Sequence, residues 1–393
     1  MNSYFNPRRM PKQVTIKGGI INTHTHPRDI EADGDGRTEC FAPYYNGIYS
    51  DIIGIGNTII PMTTLERGIV QKAKWQQHTT ARVHCAGLMT EHTDPDDVIA
   101  AYDRPMEDQI FIAMKMFLRA VSNSNGHDVD DIYKAIPVIR AMSDVKRFRH
   151  RKTPMVCKIH CERKWTPLGR RIPVADRERI AVERDLEIIL KEVPEAYIEI
   201  CHVSDGATIE AIDYYRSRGF NVCGEIAPHY GLYCTDDLYE DGNGGTALNS
   251  HVFCLPAFKS AKDRQIILAA MTSGKPWYYF GNDEACHHDD PTQEKGVKTN
   301  RRGITLGGQT QIPEAIISFI IEEFAKAGRL RYLAAYLNQN ARTFFGLPAS
   351  NDFIVFKQKR WIIPTTITRE LEKKTISCTV AMGGQERLFA KAA

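Results

Sequence analysis

The chain has 393 residues, 42% apolar and 25% charged, enough to bury a large core and too apolar for a disordered chain. Its 51 basic and 48 acidic residues leave a net charge of only +3, too weak a field to draw in nucleic acid or an anionic membrane, so the expected partner is a small-molecule substrate. No uncharged apolar run is long enough to span a bilayer, and no apolar segment follows Arg8 and Arg9 as a signal peptide requires, so a cytoplasmic protein is expected.

In chain order, eight β-branched, apolar runs read as strands, at 14–22, 52–61, 81–89, 109–117, 154–160, 196–202, 220–228 and 276–283. Between them lie helical patterns such as "TLERGIVQKAKWQQH", "VDDIYKAIPVIRAMSDV" and "ADRERIAVERDLEIILKEV", with apolar residues three and four apart and charges opposite. "DGATIEAIDYYRSRG" ends on a glycine suited to cap a helix C-terminus. This alternation predicts an α/β fold, a (β/α)8 TIM barrel; the doubly wound alternative is weakened because no GxGxxG follows the first strand. Two further helices follow the eighth strand, and the last ~45 residues alternate as a small C-terminal β/loop appendage. Residues 1–393 therefore read as a single barrel domain with that appendage packed on it. The ten cysteines are scattered singly, many inside apolar runs, and read as reduced, buried small hydrophobes.

The polar residues fall at particular places. His24 and His26 end the first strand, Lys115 sits late in the fourth, His160 ends the fifth, His202 the sixth and Asp283 the eighth. In a parallel barrel these six side chains converge at the C-terminal mouth, where barrel active sites are built. Each has a bland reading: a strand-end histidine is often structural, Lys115 could snorkel, and Asp283 could cap a helix. Their coincidence points instead to a metal site. Residues two apart on a strand point to the same side, so His24 and His26 can reach one ion. Imidazole and carboxylate ligands suit zinc, and the lack of paired cysteines favours an open, catalytic site over a closed structural one.

The pattern resembles the amidohydrolase superfamily and, within it, the dihydroorotases of the short bacterial type. "THTHPRD" resembles that family's HxHxRD, "AMKMFLRAVSNSNGHDV" its lysine strand and loop, and "PMVCKIHCE" its VHGE segment. "ADRERIAVERDLE" is similar to its DREx helix, "ICHVSDGATIEAI" to its HITT segment, "FCLPAFKSAKDRQ" to its CLPxxK segment and "FGNDEACH" to its GTDxAPH. The resemblance runs in order along nearly the whole chain.

It implies a cyclic-amide hydrolase, a dihydroorotase interconverting (S)-dihydroorotate and N-carbamoyl-L-aspartate in pyrimidine biosynthesis. His24, His26 and Asp283 would hold one divalent ion, His160 and His202 a second, and Lys115, carboxylated, would bridge both; zinc is the expected metal. Asp283 would also be the catalytic proton shuttle. Arg28 would pair with the substrate carboxylate, His287 would assist, Ser122 and Asn123 would stand on a mobile loop, and the backbone of Leu255 would meet the ring amide. A homodimer is the family's habit.

The chain also departs from the family. Met62 stands where asparagine is expected after the second strand, with Asn57, Thr63 and Thr64 as stand-ins. The segment after Asp29 is longer and carries acids, tyrosines and glycines. His288, Asp289 and Asp290 read as a solvated loop, and His229 and Tyr230, near the family's TPxH segment, are left unassigned. These departures leave the metal chemistry intact and open a rival, a hydantoinase-like enzyme. A non-catalytic barrel that binds a partner would have lost ligands, and every ligand position here is filled.

Overall fold

In the computed structural model, the residues described are 10–29, 38, 41–118, 126–166, 168–238, 252–287, 298–299, 305–306, 309–371 and 374–392. The barrel strands are β2 (Ile21–His26), β3 (Asp51–Ile55), β4 (Arg82–Met89), β5 (Phe111–Phe117), β6 (Val156–His160), β7 (Tyr197–Ile200), β8 (Asn221–Ile226) and β9 (Tyr278–Phe280). They lie side by side in sequence order, all parallel. Helices cover the outside, so the strands are buried on both faces and read as continuous apolar runs. All seven residues of β5, FIAMKMF, are buried.

The ring closes at the eighth position. After β9 the chain turns at Asp283 and re-enters the sheet as β10 (Glu284–Ala285), which pairs parallel with β2 through Glu284 with Thr25 and Ala285 with His26. This is the (β/α)8 barrel expected from the strand and helix alternation.

The predicted first strand, 14–22, is two strands. Gly18 and Gly19 take φ of +90° and +77°, values open to glycine, and they break the run. The part before them, β1 (Gln13–Lys17), leaves the barrel and pairs antiparallel with β13 (Phe353–Ile362). Two short strands, β11 (Lys298–Thr299) and β12 (Thr305–Leu306), pair with each other. β14 (Thr366–Leu371) and β15 (Lys374–Thr379) form a hairpin, and β16 (Glu386–Lys391) joins β13. The C-terminal β appendage is thus built partly from the other end of the chain.

Helix starts carry side-chain caps that the sequence supplies: Thr64 for Leu65–Gln76, Asp131 for Ile132–Ser143, Asp205 for Gly206–Ser217 and a full capping box at Ser260. Gly219 has φ +89° just past the Gly206–Ser217 helix, as its sequence position predicts. No helix among the described residues is long and apolar enough to cross a membrane.

Gly54 on β3 marks a close approach, because a Cβ there would run into the ring of Trp75, which is 1% exposed. Gly54→Ala is expected to cost about 1–3 kcal/mol by overpacking, read from the urea dependence of unfolding.

Candidate metal centre at the barrel mouth

β2 ends by projecting His24 and His26 toward Asp283. Asp283 Oδ1 lies 3.2 Å from His24 Nε2 and 3.0 Å from His26 Nε2. Ligand atoms of these three residues all lie within 4.8 Å of one another, a spacing that suits one ion. The backbone N–H of Asp283 donates to the carbonyl of His24 at 2.9 Å, so the strand that closes the barrel also sets this trio.

A second group forms from β6 and the end of β7. His160 Nδ1 is 3.0 Å from His202 Nε2, and His160 Nε2 is 2.9 Å from Glu162 Oε2. The rings of His24 and His202 lie 5.2 Å apart, which joins the two groups into one centre. Lys115, on β5, is 0% exposed, and its Nζ has no hydrogen-bond partner among the described residues.

Electrostatics prepares these groups as ligands. Burial pushes the His24 pKa down to about 4, with Glu225 pulling it up and Lys115 adding to the drop. Burial, then the Lys115 charge, hold His202 well below the usual imidazole range. Burial works against the Asp283 carboxylate, but His24, His26 and His202 outweigh it and hold its pKa well below normal. The result favours neutral His24 and His202 beside an ionised carboxylate, the protonation states that metal ligation needs.

The backbone is strained here as well. Among the described residues, the non-glycine residues in the left-handed region are Arg28 (φ +30°), His202 (φ +38°) and Asp283 (φ +51°). Such conformations persist where surrounding structure holds them, and they cluster at functional sites.

The residues expected to contact substrate are placed as follows. Arg28 is half-buried beside His26; its Nε and Nη2 donate to the Cys286 carbonyl at 3.2 and 3.0 Å, and Nη2 lies 3.1 Å from His287 Nε2. Phe41, Tyr45 and Cys286 wall the cleft beside His26 and Arg28. Leu255 is half-buried just before Pro256, whose carbonyl accepts the Tyr230 hydroxyl. Ser122 and Asn123 lie outside the described residues, as do His288, Asp289 and Asp290.

Met62 is 0% exposed in the core, its N–H bonded to Gly56 O and its carbonyl to Leu88 N. Thr64 is occupied as a helix cap. Asn57, two residues past β3, is half-buried with an Oδ1 that has no partner among the described residues. Asp29, the last residue of HTHPRD, is structural: its carboxylate accepts from Arg67, from Gln71 Nε2 at 3.1 Å and from Ile60 N at 3.3 Å, tying the segment that carries Asn57 to the helix after it.

Sequence reasoning passed over three residues. Glu225 accepts from His24 Nδ1 at 2.8 Å, and Glu162 meets His160. The signal for both was a glutamate inside or just after an apolar run, "NVCGEI" and "IHCE". His229, at the mouth end of β8, is 1% exposed; its Nδ1 lies 3.3 Å from Gln311 Nε2, and its Nε2 has no partner among the described residues.

Set against known proteins, no family model matches the chain. Over 347 residues, 88% of this chain and 90% of the relative, it is 26% identical to the dihydroorotase of Vibrio vulnificus. Its structure is similar to that of dihydroorotase from Saccharomyces cerevisiae in complex with 5-fluoroorotic acid, with a TM-score of 0.80, 21% identity and coverage of 97% of this chain and 99% of that one. It is also similar to L-hydantoinase (dihydropyrimidinase) from Arthrobacter aurescens, with a TM-score of 0.71, 15% identity and coverage of 96% and 83%. The chain is a relative of the dihydroorotases and shares the barrel of both enzyme groups.

His229 yields a pH signature of the metal-free protein. Burial lowers its pKa to about 4, whereas the unfolded chain titrates near 6.5. The unfolded state therefore binds more protons between these values, so the stability from a neutral His229 is complete above pH 6.5 and lost as pH falls to 4, a span of about 3 kcal/mol. His229→Gln is expected to show a smaller loss of unfolding free energy from pH 7 to pH 4, measured by urea titration.

Proposed function

We propose that this relative of the dihydroorotases is a metal-dependent cyclic-amide hydrolase that interconverts dihydroorotate and N-carbamoyl-L-aspartate, using two divalent ions, zinc by the nature of the donors. The observation that carries this reading is Lys115. Lys115 Nζ is fully buried with no hydrogen-bond partner among the described residues, and a charge left in that state costs several kcal/mol. Its charge reaches both His24 and His202, one from each half of the centre.

Addition of carbon dioxide to the neutral Nζ, with loss of one proton, would turn Lys115 into an anionic carbamate. So modified, Lys115 would help His24, His26 and Asp283 hold one ion and His160 and His202 hold another. When bound, the ions supply Lewis acidity at the scissile carbonyl and acidify a water. Asp283, within reach of both His24 and His26, would take a proton and return it to the leaving ring nitrogen. Arg28 offers a planar fork for the ring carboxylate. His287 touches that fork, and Asn57, on the segment after β3, would supply the amide that Met62 lacks. The Leu255 backbone would meet the ring amide, and Ser122 and Asn123 would contribute from their loop.

A second reading, a hydantoinase-like activity, is supported by the likeness to L-hydantoinase. The two differ at the carboxylate, which dihydroorotate carries on its ring. Turnover of dihydroorotate and carbamoyl aspartate is expected when these and hydantoins are assayed in parallel, and turnover of hydantoin alone would replace this reading with the second. Arg28→Met is expected to raise KM for dihydroorotate about 100-fold and to leave metal content unchanged. Elemental analysis is expected to return about two zinc ions per chain, and Lys115→Ala to lose both bound metal and activity; full activity in that variant would sink the carbamate.

A further inference from the structure

Below the mouth, the barrel interior is charged where an apolar core is usual. Lys158 on β6, Glu199 on β7 and Glu225 on β8 are each 0% exposed. Lys158 Nζ donates to Glu199, to Glu225 Oε2 at 3.0 Å and to the carbonyl of Thr23 at 3.0 Å. Tyr279 OH donates to the other Glu199 oxygen at 2.8 Å. Thr23 Oγ1 lies 3.2 Å from Glu225 Oε2 and donates to the nearer Phe280 carbonyl at 2.9 Å.

Glu225 Oε1 faces upward into the centre. It accepts from His24 Nδ1 at 2.8 Å and from the backbone N–H of His202 at 3.1 Å. One carboxylate thus touches the ring of a ligand in the first group and the backbone of a ligand in the second. A carboxylate has about four lone-pair sites, and the donors His24, His202 and Lys158 occupy three of them. A proton on Nδ1 leaves the Nε2 lone pair of His24 pointing toward Asp283. The bond to the His202 N–H braces a residue whose φ of +38° needs holding.

Ligand atoms of His24, Cys201 and Glu225 also lie within 4.8 Å of one another. That trio is not open to an ion of its own. The Cys201 thiol donates to Glu199 Oε1 at 3.3 Å, and burial raises its pKa well above normal, so it stays protonated.

We propose that Glu225, anchored from below by Lys158, is the positioning residue of the metal centre: it sets the tautomer and ring direction of His24 and the backbone of His202. This rests on the metal reading above. Partners that orient metal-bound histidines typically govern affinity by about 10–100-fold.

The test is cobalt binding in competition with a chelator, followed by visible absorption, with circular dichroism and unfolding of the metal-free protein recorded alongside. Glu225→Gln keeps size but lacks the second acceptor oxygen and the charge. It is expected to bind about 10–100-fold more weakly with an altered spectrum while remaining folded. Lys158→Met is expected to weaken binding in the same direction, and Lys158→Arg to restore most of it. Glu199→Gln, which touches Lys158 but not His24, is expected to lose less than Glu225→Gln. Wild-type affinity in Glu225→Gln, or an equal loss in Glu199→Gln, would overturn the proposal. If Lys158→Met does not fold, the two glutamine variants still decide it. A wild-type chain that binds no cobalt would instead overturn the metal reading.

Discussion

Two backbone pairings, Glu284 with Thr25 and Ala285 with His26, close the barrel, and the candidate centre depends on that closure. The last barrel strand does not run straight through. It stops at Phe280, kinks through Asp283 in the left-handed region and resumes for two residues against β2. The kink is held from both sides: Asn282 N–H donates to Asn22 Oδ1 at 2.8 Å, and Asn22 Nδ2 donates to Glu284 Oε1 at 2.8 Å. A strand in regular register would alternate its side chains and leave Asp283 to chance. The kink aims it at both histidines of β2. Backbone strain of this kind is affordable because many hydrogen bonds fix it.

The interior resolves a conflict between burial and charge in two opposite ways. Lys115 and Lys158 are register partners on adjacent strands, both 0% exposed. Lys158 has three acceptors, including two carboxylates, and is a satisfied buried ion. Lys115 has none among the described residues. The polar network built for one lysine stops short of its neighbour, so the barrel holds one finished charge and one that a small anion-forming modification would complete. Chemical difference between two like residues arises from what β7 and β8 place opposite each.

The eight barrel strands were legible because strands buried on both faces are continuous apolar runs, and the candidate ligand residues stood out because each interrupts or ends such a run with a group that apolar surroundings do not explain. Strand lengths were less legible. The run at 52–61 stays in the sheet only to Ile55, because Gly56 starts a turn whose hydrogen bond to Met62 N–H folds the chain back and buries that methionine. Counting from the proline therefore singles out Met62, while Asn57, in the same segment, has an amide oxygen with no partner among the described residues. The split at Gly18 and Gly19 was visible as a glycine pair, but the partner of β1 lies near the other end of the chain, and no local pattern names it. The role of Glu225 was hidden for the same reason. A charge inside "NVCGEI" is visible, but its partners Lys158 and His24 lie on other strands, and only register brings them together.

The closure at β10 also orders events in time. His26 leaves the ribosome 257 residues before the aspartate it faces. Until then the edge of β2 is unpaired on one side, a template for any passing strand, and its two histidines have no carboxylate to share. β1 waits longer still, for Phe353–Ile362. Long-range pairings of this kind are slow to form and leave partly built chains exposed to aggregation. A nascent chain of this protein therefore closes its barrel and completes its candidate metal-binding trio with the same peptide, and a truncated product lacking it would have neither.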